Sequence, residues 1–395
     1  MKKTAALVIL FLSLLCSRAH PLLKQHYGGT TKIAEELTAH LAISRITEKT
    51  GNSLKAVSPA TLTLRDNTLR IDLSAFPADK ITELEKAVAR LQDVSHPCHW
   101  ILDYPYFHHE HPNSLRVEGS TLILEAEDAE FLTEPATSGC FPGENISTFT
   151  PFNKTQFGFE SNRSFSGGRP FLDSIIPVAV DPVNPYLAFK LRDVDAFVIP
   201  EDRYQEISSD PQIKILPGPQ YFLYFTTQNL SPEQITNLTS VINAQEISQS
   251  ALNGHAEIFL PAKEPIVPGS RFPVVVVIPS ESPFRLVGER VRVQLATAGF
   301  TLNSTSMPAG APVMKLIAEP VKDENMDLVR YQTLKNLQGE SELNWFEEWD
   351  EWESSGKIVP FLHYRSLIAV RTNLIDVRPG ARGPDFSNTW ILPDP

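Results

Sequence analysis

Between Leu62 and Leu73 the chain reads LTLRDNTLRIDL, with apolar and polar side chains alternating on both sides of Asp66-Asn67. A period of two around a turn-forming pair predicts a hairpin with one buried face. The device returns at 115–124, where Leu115 and Val117 precede Glu118-Gly119 and Leu122 and Leu124 follow. Between the two hairpins, Ile81, Leu84, Val88 and Leu91 recur at helical spacing opposite a charged face, which predicts an amphipathic helix. From Phe171 the texture changes. FLDSIIPVAV, a helix candidate over 181–191 and VDAFVIP at 194–200 give strand, helix, strand, the order of a parallel crossover. A second unit begins with the β-branched run Val274–Ile278. Ser280 and Ser282 offer caps ahead of Pro283, and Phe284, Val287, Val291, Leu295 and Ala298 share one helical face. Gly299 then stops the helix before Phe300 and Leu302 open another strand. The pattern predicts an α/β protein whose N-terminal half mixes hairpins with helices.

The first residues carry a different pattern. Lys2 and Lys3 precede an apolar run from Ala5 to Leu15, long enough for the core of a signal peptide and too short to span a bilayer. Ser17-Arg18-Ala19 supplies small residues for cleavage after Ala19, so residues 1–19 are expected to be a signal peptide and the mature chain extracytoplasmic, periplasmic or secreted. Cys16 offers lipoprotein anchoring as the alternative, which Leu14 and Leu15 disfavour. Of the 35 basic residues, three leave with this segment, and 32 then face 47 acidic ones. Such a surplus repels nucleic-acid phosphates, so nucleic acid is excluded as a partner. Mature length exceeds what one core usually serves, and two lobes are expected. Cys98 and Cys140 are the cysteines left after cleavage, and in an oxidising compartment their simplest reading is one disulfide.

Catalytic patterns are sparse. There is no Gly-x-Ser-x-Gly elbow and no Walker-type glycine loop, and Cys98 beside His99 reads as half of the disulfide rather than as a nucleophile. No cofactor is implied, and the chain is not read as an enzyme. His96, His99, His108, His109 and His111 gather around Glu110, a donor set that suits nickel, zinc or copper. Their spacing does not place two imidazoles on one helical face, and Pro112 argues for a polar loop, so no metal ligand is assigned. A metal-dependent enzyme built on that loop is the least favoured alternative. Trp345, Trp349 and Trp352 fall at i, i+4 and i+7, one side of a helix, where core packing and ligand contact are both open readings.

Several stretches, in order, carry a resemblance. YGGTTKIA follows the signal segment, then come SNRSFSGGRPFLDSIIPVAVDP, LRDVDAFVIPED and GPQYFLYFTTQN. LSPEQITNLTSVINAQEISQSALNGHAEI, RFPVVVVIPSESPFRLVGERVRVQLATAGFTLN and KIVPFLHYRSLIAVR continue to the C-terminus. This series resembles the family 5 extracellular solute-binding proteins, periplasmic receptors of peptide, nickel and related ABC importers. The resemblance implies a two-lobe periplasmic-binding-protein fold with mixed sheets and a double hinge crossing. Lobe I would hold residues 20–225 with 362–395 returning to it, and lobe II residues 226–361, with rotation near Thr226 and Pro360. It implies capture of a small solute, peptide-like or a metal chelate, by hinge closure, an inner-membrane ABC permease as partner, and a monomeric receptor. Tyr221, Tyr224 and Phe225 would adjoin the cleft, with Trp345, Trp349, Asp350, His363 and Arg365 as further contacts. The chain departs from the family by compression between Ala34 and Leu62, and by loss between Val313 and Ile358 of the acidic loop that supplies an aspartate to peptide amines. That loss keeps open a second reading, an extracytoplasmic interaction or sensor protein on a degenerate version of the same fold. The Gly167-Gly168-Arg169-Pro170 corner reads as structural, with Arg169 or Asp173 tying it to a neighbour.

Overall fold

A computed structural model describes residues 28–392 apart from short internal stretches, the longest of them 106–112, 142–149, 261–270, 304–309 and 339–344. The signal segment, the histidines at 108–111, Cys140 and Gly167-Gly168 lie outside the described residues. Strand β1 (Thr30–Ala34) follows Gly28 and Gly29, whose φ values of +115° and +98° suit glycine. A hairpin of β2 (Thr47–Thr50) and β3 (Ser53–Ala56) occupies the compressed interval before Leu62. β4 (Thr61–Arg65) and β5 (Thr68–Asp72) form the first expected hairpin, with Asp66 at φ +49°. Helix α1 (Ala78–Arg90) buries Leu84, Ala87 and Val88, and α2 (Trp100–Asp103) is a single turn. β6 (Leu115–Glu118) and β7 (Thr121–Glu125) make the second hairpin, turned by Gly119 at φ +61°. Pairing of β5 with β7 merges the hairpins into one sheet, β4-β5-β7-β6.

After α3 (Thr133–Thr137), the hairpin β8 (Phe152–Thr155) and β9 (Gly158–Ser161) leads to β10 (Ser174–Val178). Helix α4 (Pro185–Lys190) crosses to β11 (Ala196–Val198), and β1 is inserted between β10 and β11, parallel to both. The corner before β10 is tied as expected: Arg169 donates to Asp173, whose other oxygen accepts from the Gly29 amide at 3.1 Å. α5 (Tyr204–Ser208) precedes the long strand β12 (Ile213–Gln228). α6 (Pro232–Ser240) begins with a capping box between Ser231 and Gln234, and α7 (Ala244–Leu252) ends on Asn253 at φ +50°. β13 (Ala256–Ile258), β14 (Pro273–Val277), α8 (Phe284–Thr297) and β15 (Thr301–Asn303) contain the second crossover, β14 and β15 being parallel. The start of α8 differs from expectation. Pro283 holds the cap position, and the Glu281 carbonyl accepts from the Arg285 amide at 2.7 Å. β16 (Val313–Val321), α9 (Met326–Gln338), α10 (Trp345–Ser354) and the long β17 (Ile358–Arg371) follow, and β18 (Leu374–Ile375) pairs with β19 (Trp390–Ile391).

Among the described residues the main sheet runs β15-β14-β16-β12-β17-β11-β1-β10-β9-β8, with β13 added on β17. The antiparallel pair β12 and β17 is its spine. Residues 220–228 of β12 pair with β16, whereas residues 368–370 of β17 pair with β11. The spine ladder is interrupted between Pro217 and Gln220, and again between Leu223 and Tyr224 opposite Pro360. Pro217 and Pro219 have no amide hydrogen to donate, so the first interruption is written in the sequence. Gly218 lets the strands close there, since a Cβ on it would stand 2.8 Å from Ser366 Oγ.

Side chains of β12 alternate between two cores, as a period of two requires. Phe222 and Tyr224 join a core built from the four-stranded sheet, α1, α2, α9 and α10. Leu223 and Phe225 join another, formed by α6, α7, α8, β14 and β16. Two smaller cores cover the faces of the β1, β10 and β11 half. No helix among the described residues is long and apolar enough to cross a membrane.

Candidate functional site

The two groups of parallel strands aim at one place. β1, β10 and β11 end at Ala34, Val178 and Val198, and Val198 pairs with Ile368 of the spine. β14 and β16 are parallel, and β16 ends at Val321, paired with Gln220. Both groups therefore present carboxyl ends toward the interrupted ladder around Gly218, where an α/β sheet offers its binding crevice.

On one face of the spine, Tyr221 stacks on Tyr364 with ring centroids 6.2 Å apart, and Phe284 of α8 packs on both. The Tyr364 hydroxyl donates to Glu201, which follows β11 and is 8% exposed. Asn253, at the end of α7, donates to the backbone carbonyl of Glu201 at 2.8 Å and to its carboxylate at 2.6 Å. Glu201 thus ties β11, the spine and α7 together. Burial, then the Glu201 charge and hydrogen bond, push the Tyr364 hydroxyl far above the ordinary phenol range. Burial also raises Tyr221, aided by Glu36, just after β1, and Glu281, just before α8. Glu36 itself is raised because the surrounding protein desolvates it, against an opposing bond from the Val198 amide at 3.3 Å.

The opposite face carries a polar relay. With its amide orientation assigned from its neighbours, Gln220, 1% exposed, donates through its nitrogen to His363 Nε2 at 2.8 Å and accepts through its oxygen from Arg365 Nε at 3.2 Å. Glu257 of β13 lies 3.7 Å from His363 Nδ1, and Phe259 stacks against the imidazole. A buried amide that satisfies two neighbours fixes both side chains in orientation.

Of the residues expected at a cleft, Tyr221 lies on one face of this crossing and His363 and Arg365 on the other. Tyr224 and Phe225 do not line it: they are 1% and 0% exposed, on opposite faces, each absorbed by a core. The Tyr224 hydroxyl already donates to Glu319 at 3.3 Å. YFLYF alternates, so its aromatics cannot all line one wall. Trp349 is buried against Phe222, its indole donating to Glu353 at 2.8 Å. Asp350 is exposed on α10, which Trp345 begins. Cys98 is buried, and His99 bonds the Leu91 carbonyl through Nδ1 at 2.6 Å. No group of three His, Cys, Asp or Glu able to hold a metal occurs among the described residues. Sequence reasoning missed Glu36, Glu201, Gln220, Asn253 and Tyr364. Glu201 and Glu36 had one signal, acidic residues directly after strands.

No protein-family model matches the sequence, and no curated protein matches it. Solved structures do. NikA from Brucella suis, in complex with Fe(III)-EDTA, superposes with a TM-score of 0.66 at 10% identity over 92% of this chain and 100% of its own. The periplasmic binding protein DppA from Helicobacter pylori, in complex with the peptide STSA, gives 0.63 at 10% identity over 93% and 98%. The ABC transporter substrate-binding protein CtaP from Listeria monocytogenes gives 0.64 at 11% identity over 92% and 99%. Across nine-tenths of its length the chain has the two-lobe fold of the periplasmic binding proteins.

Proposed function

We propose that this protein is an extracytoplasmic solute-binding receptor of an ABC importer, holding a small solute between its lobes at the spine crossing. The observation that carries the reading is the convergence of both parallel-strand groups on an interrupted, proline-bounded ladder. The fold shared with binding proteins of peptides and metal chelates supports the same class of solute. The hinge lies at Pro217–Gln220 and Arg365–Leu367, where the spine changes partners, so lobe I runs to about 217 and resumes at about 367. On this proposal the rotation would fall nearer the middle of the spine than the Thr226 and Pro360 that the resemblance implies. Tyr221, packed on the buried Tyr364, forms the floor, with the negative charges of Glu36 and Glu281 near it. His363 and Arg365, braced by Gln220, stiffen the crossing from its opposite face. Contacts to both lobes exist only in the closed form, so solute shifts the balance toward closure and no covalent step is needed. The closed form would dock on a membrane permease.

Export through residues 1–19, a monomeric state and a bridge between Cys98 and Cys140 belong to the same proposal. Two free thiols in the unfolded, unreduced protein would contradict the bridge. The direct test of function is mass spectrometry of denatured native protein for a copurified small molecule, followed by calorimetric titration of peptides and of nickel–histidine complexes. Saturable binding weakened by Tyr221→Ala supports the site. No ligand-dependent stabilisation with any of them favours a pure interaction protein instead.

A further inference from the structure

A cavity of about 310 Å³ lies beside the other end of the spine, lined by Ile358, Val359 and Pro360 and by residues of α6, α9 and α10. Pro360 is five residues along the strand from Arg365, roughly 16 Å at the usual rise, and the cavity borders the crossing only at Phe222 and Phe259, which flank His363. Its walls include three aromatic rings, Phe222, Phe259 and Trp349. Phe222 and Phe259 meet edge to face at 5.8 Å, and Phe222 and Trp349 lie 6.3 Å apart. A concavity of this size has the volume of about ten water molecules, and its lining mixes the aromatic rings with polar groups of Thr236, Thr239, Ser354 and Ser355. It matches one small organic molecule.

Two charges of opposite sign line the same cavity. The Arg330 guanidinium stands over the Trp349 ring at 5.7 Å, held from one side by Asp327 at 3.1 Å. Glu353 accepts from the Trp349 indole N–H and keeps its outer side exposed. Arg330 and Glu353 are thus both positioned through the indole, one over its face and one at its N–H edge. We infer that this cavity is a second binding site, taking a small aromatic zwitterion whose ring packs on the half-buried Phe259, which is backed by the buried Phe222. Its carboxylate pairs with Arg330 and its ammonium with Glu353. Planar bidentate pairing suits a guanidinium to the carboxylate.

L-Phenylalanine is the probe. Titrated into the full-length mature protein after refolding from denaturant to strip bound molecules, it should change tryptophan fluorescence saturably and raise the melting temperature. Arg330→Gln should weaken this binding about tenfold, the worth of one charged hydrogen-bonding partner. Thr236, exposed on α6 at the cavity rim, gives an independent variant that leaves the aromatic walls intact: Thr236→Phe should abolish the response while the far-UV spectrum stays that of the wild type. Phenylacetate, which has no ammonium, should bind more weakly than phenylalanine. Absence of a saturable response at millimolar phenylalanine, or a response that survives both substitutions, overturns the inference.

Discussion

At the scale of single residues, backbone conformation and local charge decide more than side-chain identity suggests. Gly158 sits at φ +145°, and a Cβ there would stand 2.5 Å from the Ile175 carbonyl oxygen, a backbone atom that cannot step aside. Gly158→Ala should therefore cost about 1–3 kcal/mol, read by denaturant unfolding, and an unchanged midpoint would contradict the placement of β9 against β10. Glu36 makes a different prediction because its folded pKa lies above its ordinary value. A raised carboxyl favours the protonated form, so its contribution is intact at acid pH and lost as pH rises through the folded pKa. Glu36→Gln should raise the melting temperature relative to wild type at pH 7.5 and lose that advantage near pH 4. An advantage that grows on acidification would reverse the sign and contradict the crowding of this carboxyl.

At the scale of elements, periodicity made most of the fold legible. Both hairpins, α1 and the two crossovers stand where alternation and helical spacing put them. The capping box of α6 was written as Ser231 and Gln234, and Ser231→Ala should lower stability by about 1 kcal/mol in thermal or chemical unfolding. No loss would mean that the box adds nothing beyond tertiary packing. Less legible was what depends on partners distant in sequence. The insertion of β1 between β10 and β11, the pairing of β5 with β7 and the shared core of the four-stranded sheet with α9 and α10 are set by packing. No local pattern records them. The same limit explains Tyr224 and Phe225. Aromatics at a strand's centre look alike whether they meet solvent or core, and only the helices laid over each face decide. Gln220 shows the converse, since a lone polar residue in an aromatic strand carries no signal until His363 and Arg365 arrive beside it from 143 and 145 residues away.

At the scale of the whole molecule, Glu201 is the contact that tests how the lobes are held. It follows β11, whereas Asn253 ends α7, which the proposed division puts in the other lobe, and Tyr364 sits on the spine. Asn253→Gly keeps the φ of +50° accessible while deleting the amide, so it should shift the solute-free protein toward a more extended form without unfolding it. Unchanged dimensions would mean that Glu201 is structural filler rather than a tie between lobes. Closure about the spine crossing is the motion on which the proposed function depends. Small-angle scattering of the protein, with and without a solute confirmed by calorimetry, measures it most directly. The account predicts a smaller radius of gyration in the bound state, with the change lost in Tyr221→Ala at the same solute concentration. A bound protein no more compact than the free one, at saturation, would contradict it.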